Sequence, residues 1–390
     1  MGEYLSSPKK DKDSIDGQNT QLRYGACGMQ GWRKTMEDAH ITHLDVIDGE
    51  ISVFGVFDGH GGCEVARFVE NHLVDELKKN ENFKKGNYRQ ALIDVFLHLD
   101  KMLLTESGKR ELVRISQKFG SMAQGAAFDG GDLAVQAGCT ACVAIITKTE
   151  IYVANAGDTR CVIAAKGRAK DLSTDHKPDL PNEKRRIQRA NGFVEDGRVN
   201  GIIAISRAIG DWEYKNQSLK PEDNAVSAFP EVVVEQLRPD HDFMIIACDG
   251  IWDCMTSQQA VDFVYETKQK LLKRQSQSPS HSPSKIKSSV QAPAGRKSVV
   301  SPTKKTGLQL TKMQSTPATK TSNNNFGSMS SVQSTASSQS DPSQRQSQVV
   351  VSRIVELMMD KICPSNLATS EGLGADNMTC VVIEFNKPQE

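Results

Sequence analysis

Apolar positions along the chain fall into two kinds of pattern. Short runs dense in β-branched and aromatic residues read as strands buried on both faces: residues 51–57 (ISVFGVF), 151–156, 243–248 and 378–385. Residues 22–47, 139–163 and 231–235 add strand segments with polar breaks. Stripes at the helical period predict helices over residues 64–78, with Val65, Phe68, Val69, Leu73 and Leu77, and over 88–104, with Leu92, Val95, Phe96, Leu99 and Leu103. Two more are expected over 257–273, capped by Ser257, and over 349–363. Residues 105–136 show no regular pattern and receive no assignment.

Two stretches carry no such pattern. Residues 1–21 are polar and read as a flexible N-terminal arm. Residues 275–347 are dominated by Ser, Thr, Gln, Lys and Pro, a composition expected to be disordered. A helix and the last strand follow that stretch, so it reads as an insert within a single domain spanning 22–390. Lengthening a loop from ~5 to ~75 residues costs only ~2–3 kcal/mol of closure entropy, which a large core absorbs. Ser278, Ser282, Ser301 and Thr316 each precede a proline, the pattern of proline-directed kinase targets.

Charge adds one distinction. The 48 basic and 48 acidic residues balance overall, but residues 273–350 hold 11 Lys and Arg against the single acid Asp341, leaving 37 basic and 47 acidic residues in the remainder. An acidic body suits cation binding. Nine cysteines without a secretory signal read as reduced thiols of a cytoplasmic or nuclear protein. Cys139 and Cys142 have CxxC spacing inside a strand-like run, where residues three apart face opposite sides. Cys27 and Arg33 have the Cys-x5-Arg spacing of a tyrosine-phosphatase loop but lack its flanking residues. Both pairs read as ordinary buried cysteines.

The candidate chemistry lies where the strand-like runs stop. Residues 51–57 end on Asp58, followed by Gly59, His60, Gly61 and Gly62. Asp158 and Asp249 follow two other runs, Asp376 precedes the last, and Glu37 and Asp38 sit side by side upstream. Each alone is an ordinary turn acid. Together they predict one shared carboxylate cluster, which repels itself and needs cations. Carboxylate oxygens, with a Gly59 carbonyl, favour Mg²⁺ or Mn²⁺ over Zn²⁺ or copper. Two such ions ~3.5–4 Å apart activate a water and clamp a phosphate, which outlines a phosphoester hydrolase.

The motifs RYGACGMQGWRKTMEDAH, FGVFDGHGG, AGCTACVAI, ANAGDTR, DHKP, EKRRIQ, GRVNGIIAISRAIGDWEYK, IIACDGIWD and GADNMTCVVI occur in this order between Arg23 and Phe385. With them the chain resembles the metal-dependent Ser/Thr protein phosphatases of type 2C, the PPM family. The resemblance implies an α+β fold, a central sandwich of two antiparallel β-sheets flanked by helices on both outer faces. It implies that Asp58 bridges two metals, with Glu37, Asp38, Asp249, Asp376 and the Gly59 carbonyl completing their shells. Asp158, with Asp249, would hold a weaker third metal. Arg33 would bind the substrate phosphate and His60 would act as general acid, with no covalent enzyme intermediate. Arg186 and Arg207 either shape the cleft or pair with local acids. The long insert and residues 105–136 depart from the compact family pattern.

The implied substrates are phosphoserine and phosphothreonine proteins, and a monomer is expected. Met1 to Ser6 fits the N-myristoylation pattern at Gly2, though Glu3 is an awkward neighbour. One acyl chain helped by Lys9, Lys10 and Lys12 would give only marginal membrane association. A competing reading is a phosphatase-like binding module, which requires lost metal ligands; none of the matched positions has lost one. Nucleic-acid binding by the insert is disfavoured, because Phe326 is its one aromatic residue.

Overall fold

The structure is a computed structural model, and it describes residues 4–47, 49–119, 133–277 and 349–387. The chain opens with β1 (Tyr4–Gln18), β2 (Leu22–Arg33), β3 (Ala39–Ile47), β4 (Ile51–Phe57) and the two-residue β5 (Gly59–His60). After a helical stretch come β6 (Gly138–Cys139), β7 (Ala141–Ile146), β8 (Glu150–Ala156), β9 (Arg160–Ala165) and β10 (Arg168–Asp171). The hairpin β11 (Val194–Glu195) and β12 (Arg198–Val199) precedes β13 (Ile209–Gly210), β14 (Glu231–Gln236), β15 (His241–Ala247) and β16 (Met378–Phe385). One large sheet has the order β1-β2-β16-β15-β9-β10 and the other β14-β8-β7-β4-β3. Neighbouring strands in both are antiparallel.

Side-chain alternation along these strands builds three apolar layers. Between the sheets lie Tyr24, Ala26, Phe54, Val56, Met244, Ile246, Val381 and Ile383. Their strand neighbours face outward: Val53 and Phe57 meet helices Glu64–Lys79 and Tyr88–Met102, while Phe243, Ile245, Cys380 and Val382 meet helices Ser257–Gln277 and Val351–Ile362. The runs look uniformly apolar because both of their faces are covered. At roughly 1.5–3 kcal/mol per fully buried large side chain, this triple layer is the main favourable contribution to folding.

Antiparallel pairing gathers the acid-bearing strand ends. β16 begins where β2 and β15 end, with Met378 opposite Met29 and Cys380 opposite Ala247. In the other sheet Ala39 lies opposite Phe57, which sets Asp38 beside Asp58, and Ala141 lies opposite Ala156.

The N-terminal segment corrects the expectation of a flexible arm over residues 1–21. From Tyr4 to Gln18 it is an edge strand paired with β2, with register shifts either side of Lys9. Its polar composition and Pro8 hid it, because an edge strand buries little and tolerates proline on its free side. The strand is also tied to helix Val351–Ile362. Lys12 Nζ donates to Asp360 Oδ1 at 2.7 Å, Ser14 Oγ donates to Glu356 Oε1 at 2.9 Å, and Asp16 Oδ1 accepts from Ser352 N at 2.9 Å. Asp16 thus serves as the anionic cap that the helix lacks in its own sequence. Gly25 lets this helix lie close on β2, since a Cβ there would come within 2.0 Å of Ser352 N.

Three further expectations change. Part of residues 105–136 is a regular helix, Glu106–Phe119, followed by a short one, Leu133–Gln136. The buried face of the first is Gly108, Leu112, Ile115 and Ser116, two of them small, so the apolar stripe was too thin to read. Gly108 is required there, as a Cβ would meet Met102 O at 2.1 Å. Ser257 does not cap its helix. Thr256 does, in a reciprocal box in which Gln259 N donates to Thr256 Oγ1 at 3.2 Å and Thr256 N to Gln259 Oε1 at 2.9 Å. That helix continues through Gln277, into the stretch expected to be disordered from 275; the remainder of the insert expectation, 278–347, lies outside the described residues, as does Gly2.

The clamp on the edge strand is testable. Asp16→Ala is expected to lower stability by about 1 kcal/mol, the usual cost of losing a helix cap, read as a lower urea midpoint with an unchanged slope. An unchanged midpoint would restore the picture of a free arm.

Candidate functional site

Asp58 leaves β4 held by its backbone: its N donates to Thr140 Oγ1 at 3.3 Å and its carbonyl accepts from Thr140 N at 2.9 Å. Thr140 in turn shares a hydrogen bond of 2.6 Å with Thr159. The next residue must be glycine, because a Cβ at Gly59 would sit 2.4 Å from the Glu37 carbonyl. Glu37 itself is oriented by Thr35 Oγ1, which donates to Oε1 at 2.7 Å, and by Gly62 N, which donates to Oε2 at 3.3 Å. Asn377 pins this loop to the strand that follows Asp376. Its Oδ1 accepts from Glu37 N at 2.8 Å, and its Nδ2 donates to Gln30 O at 2.8 Å and Thr35 O at 2.9 Å.

The structure brings Arg33, Glu37, Asp58, Gly59, His60, Asp158, Asp249 and Asp376 to the walls of one cavity of about 500 Å³. Asp38 lies beneath it, 1% exposed, with neither carboxylate oxygen in a hydrogen bond. Ligand atoms of Asp38, Asp58 and Cys248 lie within 4.8 Å of one another. Burial, then the charges of Asp249, Asp38, Asp158 and Asp376, push the Asp58 carboxyl well above its usual range. Burial, then Asp158, Asp376 and Asp253, do the same to Asp249. Asp38 is pushed up to about 6, chiefly by burial and then by the charge of Asp376. Cys248 remains a neutral thiol: burial and the surrounding acids raise it, and its Sγ accepts from Thr379 N at 3.1 Å.

This donor set fits hard divalent cations. Buried carboxylates that raise one another, one of them with both oxygens unbonded, are costly as anions and are stabilised by a shared positive charge. The oxygen donors match Mg²⁺- or Mn²⁺-type coordination.

Cationic side chains rim the site. Arg33 Nη2 meets Asp376 Oδ2 at 2.5 Å, while Arg33 Nε is buried without a partner. Lys177 is ion-paired with Asp158. His60 Nε2 lies 2.8 and 2.9 Å from the two oxygens of Asp211. Burial works against a charged His60 ring, but the charge and hydrogen bond of Asp211 raise its pKa overall. Arg186 and Arg207 resolve as partners of a local acid, Glu183, at 2.5 and 2.7 Å. The two cysteine readings hold. Cys27 is buried and its thiol is pushed up to about 11, mainly by burial, so it is no thiolate nucleophile. Cys139 belongs to the core under the helices and Cys142 to the core between the sheets.

Three positioning groups escaped the reading of single motifs: Asp211, Lys177 and Asn377. All lie inside the motifs quoted above, but nothing local distinguishes them from other polar loop residues. Only their partners, 19 to 347 positions away, do.

Removing one charge from the cluster is expected to stabilise the metal-free protein. A carboxyl whose folded pKa is raised contributes stability below its unfolded value, near 4, and loses it as pH rises through the folded value. Asp58→Asn should therefore melt above the parent in EDTA at pH 7.5, with the gain shrinking at pH 5. It should also lose the stabilisation that Mg²⁺ or Mn²⁺ gives the parent. Equal metal-free melting of parent and variant at pH 7.5 would mean that the cluster is not strained.

A carboxylate cavity with an arginine and a histidine at its rim, set at one end of a two-sheet sandwich, is equipped for phosphoester hydrolysis. Comparison with known proteins makes this specific. The family model "Protein phosphatase 2C" matches residues 22–294. "Protein phosphatase 2C 1" of Paramecium tetraurelia is 48% identical over 68% of this chain and 85% of its own length. "Probable protein phosphatase 2C 21" of Arabidopsis thaliana is 46% identical over 68% of this chain and 81% of its own. A solved serine-threonine phosphatase 2C from Toxoplasma gondii superposes with a TM-score of 0.60 at 18% identity, covering 96% of this chain and 99% of that one, and so shares the fold. The chain belongs to the protein phosphatase 2C family and is a serine/threonine protein phosphatase, a hydrolase acting on phosphoproteins.

Proposed function

We propose that Asp58, together with Glu37, Asp38, Asp249, Asp376 and the carbonyl of Gly59, would hold two Mg²⁺ or Mn²⁺ ions. The observation that carries this is the pair Asp38 and Asp58, side by side at the cavity, with Asp38 buried and its oxygens without a hydrogen-bond partner. Bound there, the cations supply charge neutralisation and lower the pKa of a water, so that phosphorus is attacked directly with no covalent enzyme intermediate. Arg33 receives the phosphate: it lines the cavity, where Asp376 holds its Nη2, and its planar guanidinium matches two phosphate oxygens. His60 delivers a proton to the departing serine or threonine oxygen. Asp158 already has Lys177 as counter-charge, so a third cation shared with Asp249 has to compete with it and binds more weakly. We further propose a cytoplasmic or nuclear monomer, with Gly2 acylation adding at most a weak membrane contact.

Hydrolysis of a phosphothreonine peptide should require Mn²⁺ or Mg²⁺ and stop in excess EDTA. Asp58→Ala should abolish turnover and Asp249→Ala nearly so. Arg33→Ala should lower kcat/KM about 10–100-fold, mostly through KM, as expected for one lost charge-assisted fork worth roughly 1.5–3 kcal/mol. Most of the activity surviving in Asp58→Ala would overturn the metal assignment. Cys27→Ser should leave turnover intact.

A further inference from the structure

His60 is presented from a short three-stranded sheet, and that sheet reaches further than the catalytic cavity. β5, β6 and β13 pair so that His60 lies opposite Gly138, and Gly138 opposite Gly210. The turn after β13 then brings Asp211 over the histidine ring. A Cβ on Gly138 would come within 2.4 Å of Asp211 Oδ2 and 2.6 Å of His60 Nε2. A glycine between them is what lets the two side chains meet. Asp211 is 2% exposed and adopts a left-handed backbone (φ 52°), a conformation that a non-glycine residue holds only when its surroundings enforce it.

The enforcement is visible. Asp211 N donates to Ala137 O at 3.0 Å, and Tyr214 N donates to Asp211 O at 3.0 Å. Behind the turn, Asp100 of helix Tyr88–Met102 accepts from Gly210 N at 2.8 Å and from Lys215 Nζ at 2.6 Å, both on Oδ1. Its backbone carbonyl accepts from Trp212 Nε1 at 3.1 Å. Lys215 also donates to Ala208 O at 3.0 Å, and its ammonium lies 5.3 Å from the Trp212 ring centroid. The side chains of Asp100 and Lys215 are only 8% and 2% exposed. One buried ion pair therefore grips the turn on both sides of Asp211. Buried pairs of this kind are weak as net stabilisers, because desolvation offsets their attraction, and hold geometry better than they add stability.

We propose that Asp211 is a positioning residue for His60, and that the buried Asp100–Lys215 pair fixes Asp211 in turn, so that the imidazole faces the leaving oxygen in a single orientation. This rests on the reading of His60 as the proton donor. A group that donates a proton to the leaving oxygen matters when that oxygen leaves as a strong base, as serine and threonine oxygens do. It matters little for p-nitrophenolate, which departs as a stable anion. The ratio of activities on the two substrates thus separates loss of the donor's placement from general damage.

The test measures kcat and KM on a phosphothreonine peptide and on p-nitrophenyl phosphate at saturating Mn²⁺, alongside thermal melts. The variants are His60→Ala, Asp211→Asn, Asp211→Ala, the double variant His60→Ala/Asp211→Ala, and Asp100→Asn/Lys215→Met, which removes both buried charges together. Asp211→Ala and Asp211→Asn are expected to lower peptide kcat about 10–100-fold, as outer-shell partners do, with KM within about threefold and p-nitrophenyl phosphate turnover nearly kept. The Asp100→Asn/Lys215→Met variant should move the same ratio in the same direction by a smaller factor. In the His60→Ala background, Asp211→Ala should cost little more, since the two act as one unit. Equal losses on both substrates for Asp211→Asn, or additive losses in the double variant, would overturn the proposal. An unmoved ratio in Asp100→Asn/Lys215→Met would remove the ion pair from it. The reading of His60 fails separately, if His60→Ala itself affects the two substrates alike.

Discussion

Several carboxylates crowded together at one cavity, one of them fully buried beneath it, are the constraint that the rest of this molecule is built around. Asp38, Asp58 and Asp249 are each pushed up by burial and by their neighbours, so the folded chain carries an electrostatic strain that only cations relieve. The fold tolerates that strain because it is confined to one end of the sandwich. Elsewhere the two sheets and their helices bury three continuous apolar layers. Nearby cationic side chains relieve other acids locally: Arg33 pairs with Asp376, Lys177 with Asp158, and two arginines with Glu183. The balance between a costly site and a large core is the usual position of an enzyme whose function works against its stability.

The glycines of the site follow from the same crowding. Carboxylates from several strands can converge only if backbones approach closely, so Gly59 lies against the Glu37 carbonyl and Gly250 against that of Asn377, where a Cβ would come within 2.4 and 2.0 Å. The edge strand β1 belongs to the same economy of contacts on the other side of the larger sheet. It covers the flank of β2 and lends Asp16 to a helix that begins more than 300 residues later. The residue that precedes this helix, Val350, has no polar side chain with which to cap it. A partner from the start of the chain fills the role.

Much of the architecture could be read from residues alone. Runs such as ISVFGVF and FMIIAC are apolar throughout because both of their faces are covered, and the helices with wide stripes of Leu, Val and Phe are where the periodicity placed them, within a residue or two at most ends. The candidate ligands were legible because an acid at the end of a buried strand has no structural reason to recur. What stayed hidden were elements whose burial is slight or made by small residues. β1 is an exposed edge, and helix Glu106–Phe119 packs through Gly108 and Ser116 as much as through Leu112 and Ile115. Helix caps were misplaced for a related reason, since Ser257 and Thr256 are equally good candidates until Gln259 folds back on one of them.

The sequence by itself determined which residue types could meet a divalent cation's chemical needs, because that follows from side-chain chemistry: oxygen donors on strand ends, glycines beside them, one arginine and one histidine nearby. Tertiary structure alone decided which acids act together and which residues hold them, because those are relations between segments far apart in the chain. Asp58 and Asp38 become neighbours through the pairing of β3 with β4, and Asp376 through that of β16 with β2. Asp211 and His60 are 151 positions apart and meet across Gly138. Local propensity is fixed by a few successive residues, whereas the field at a buried carboxylate sums over every strand that ends beside it.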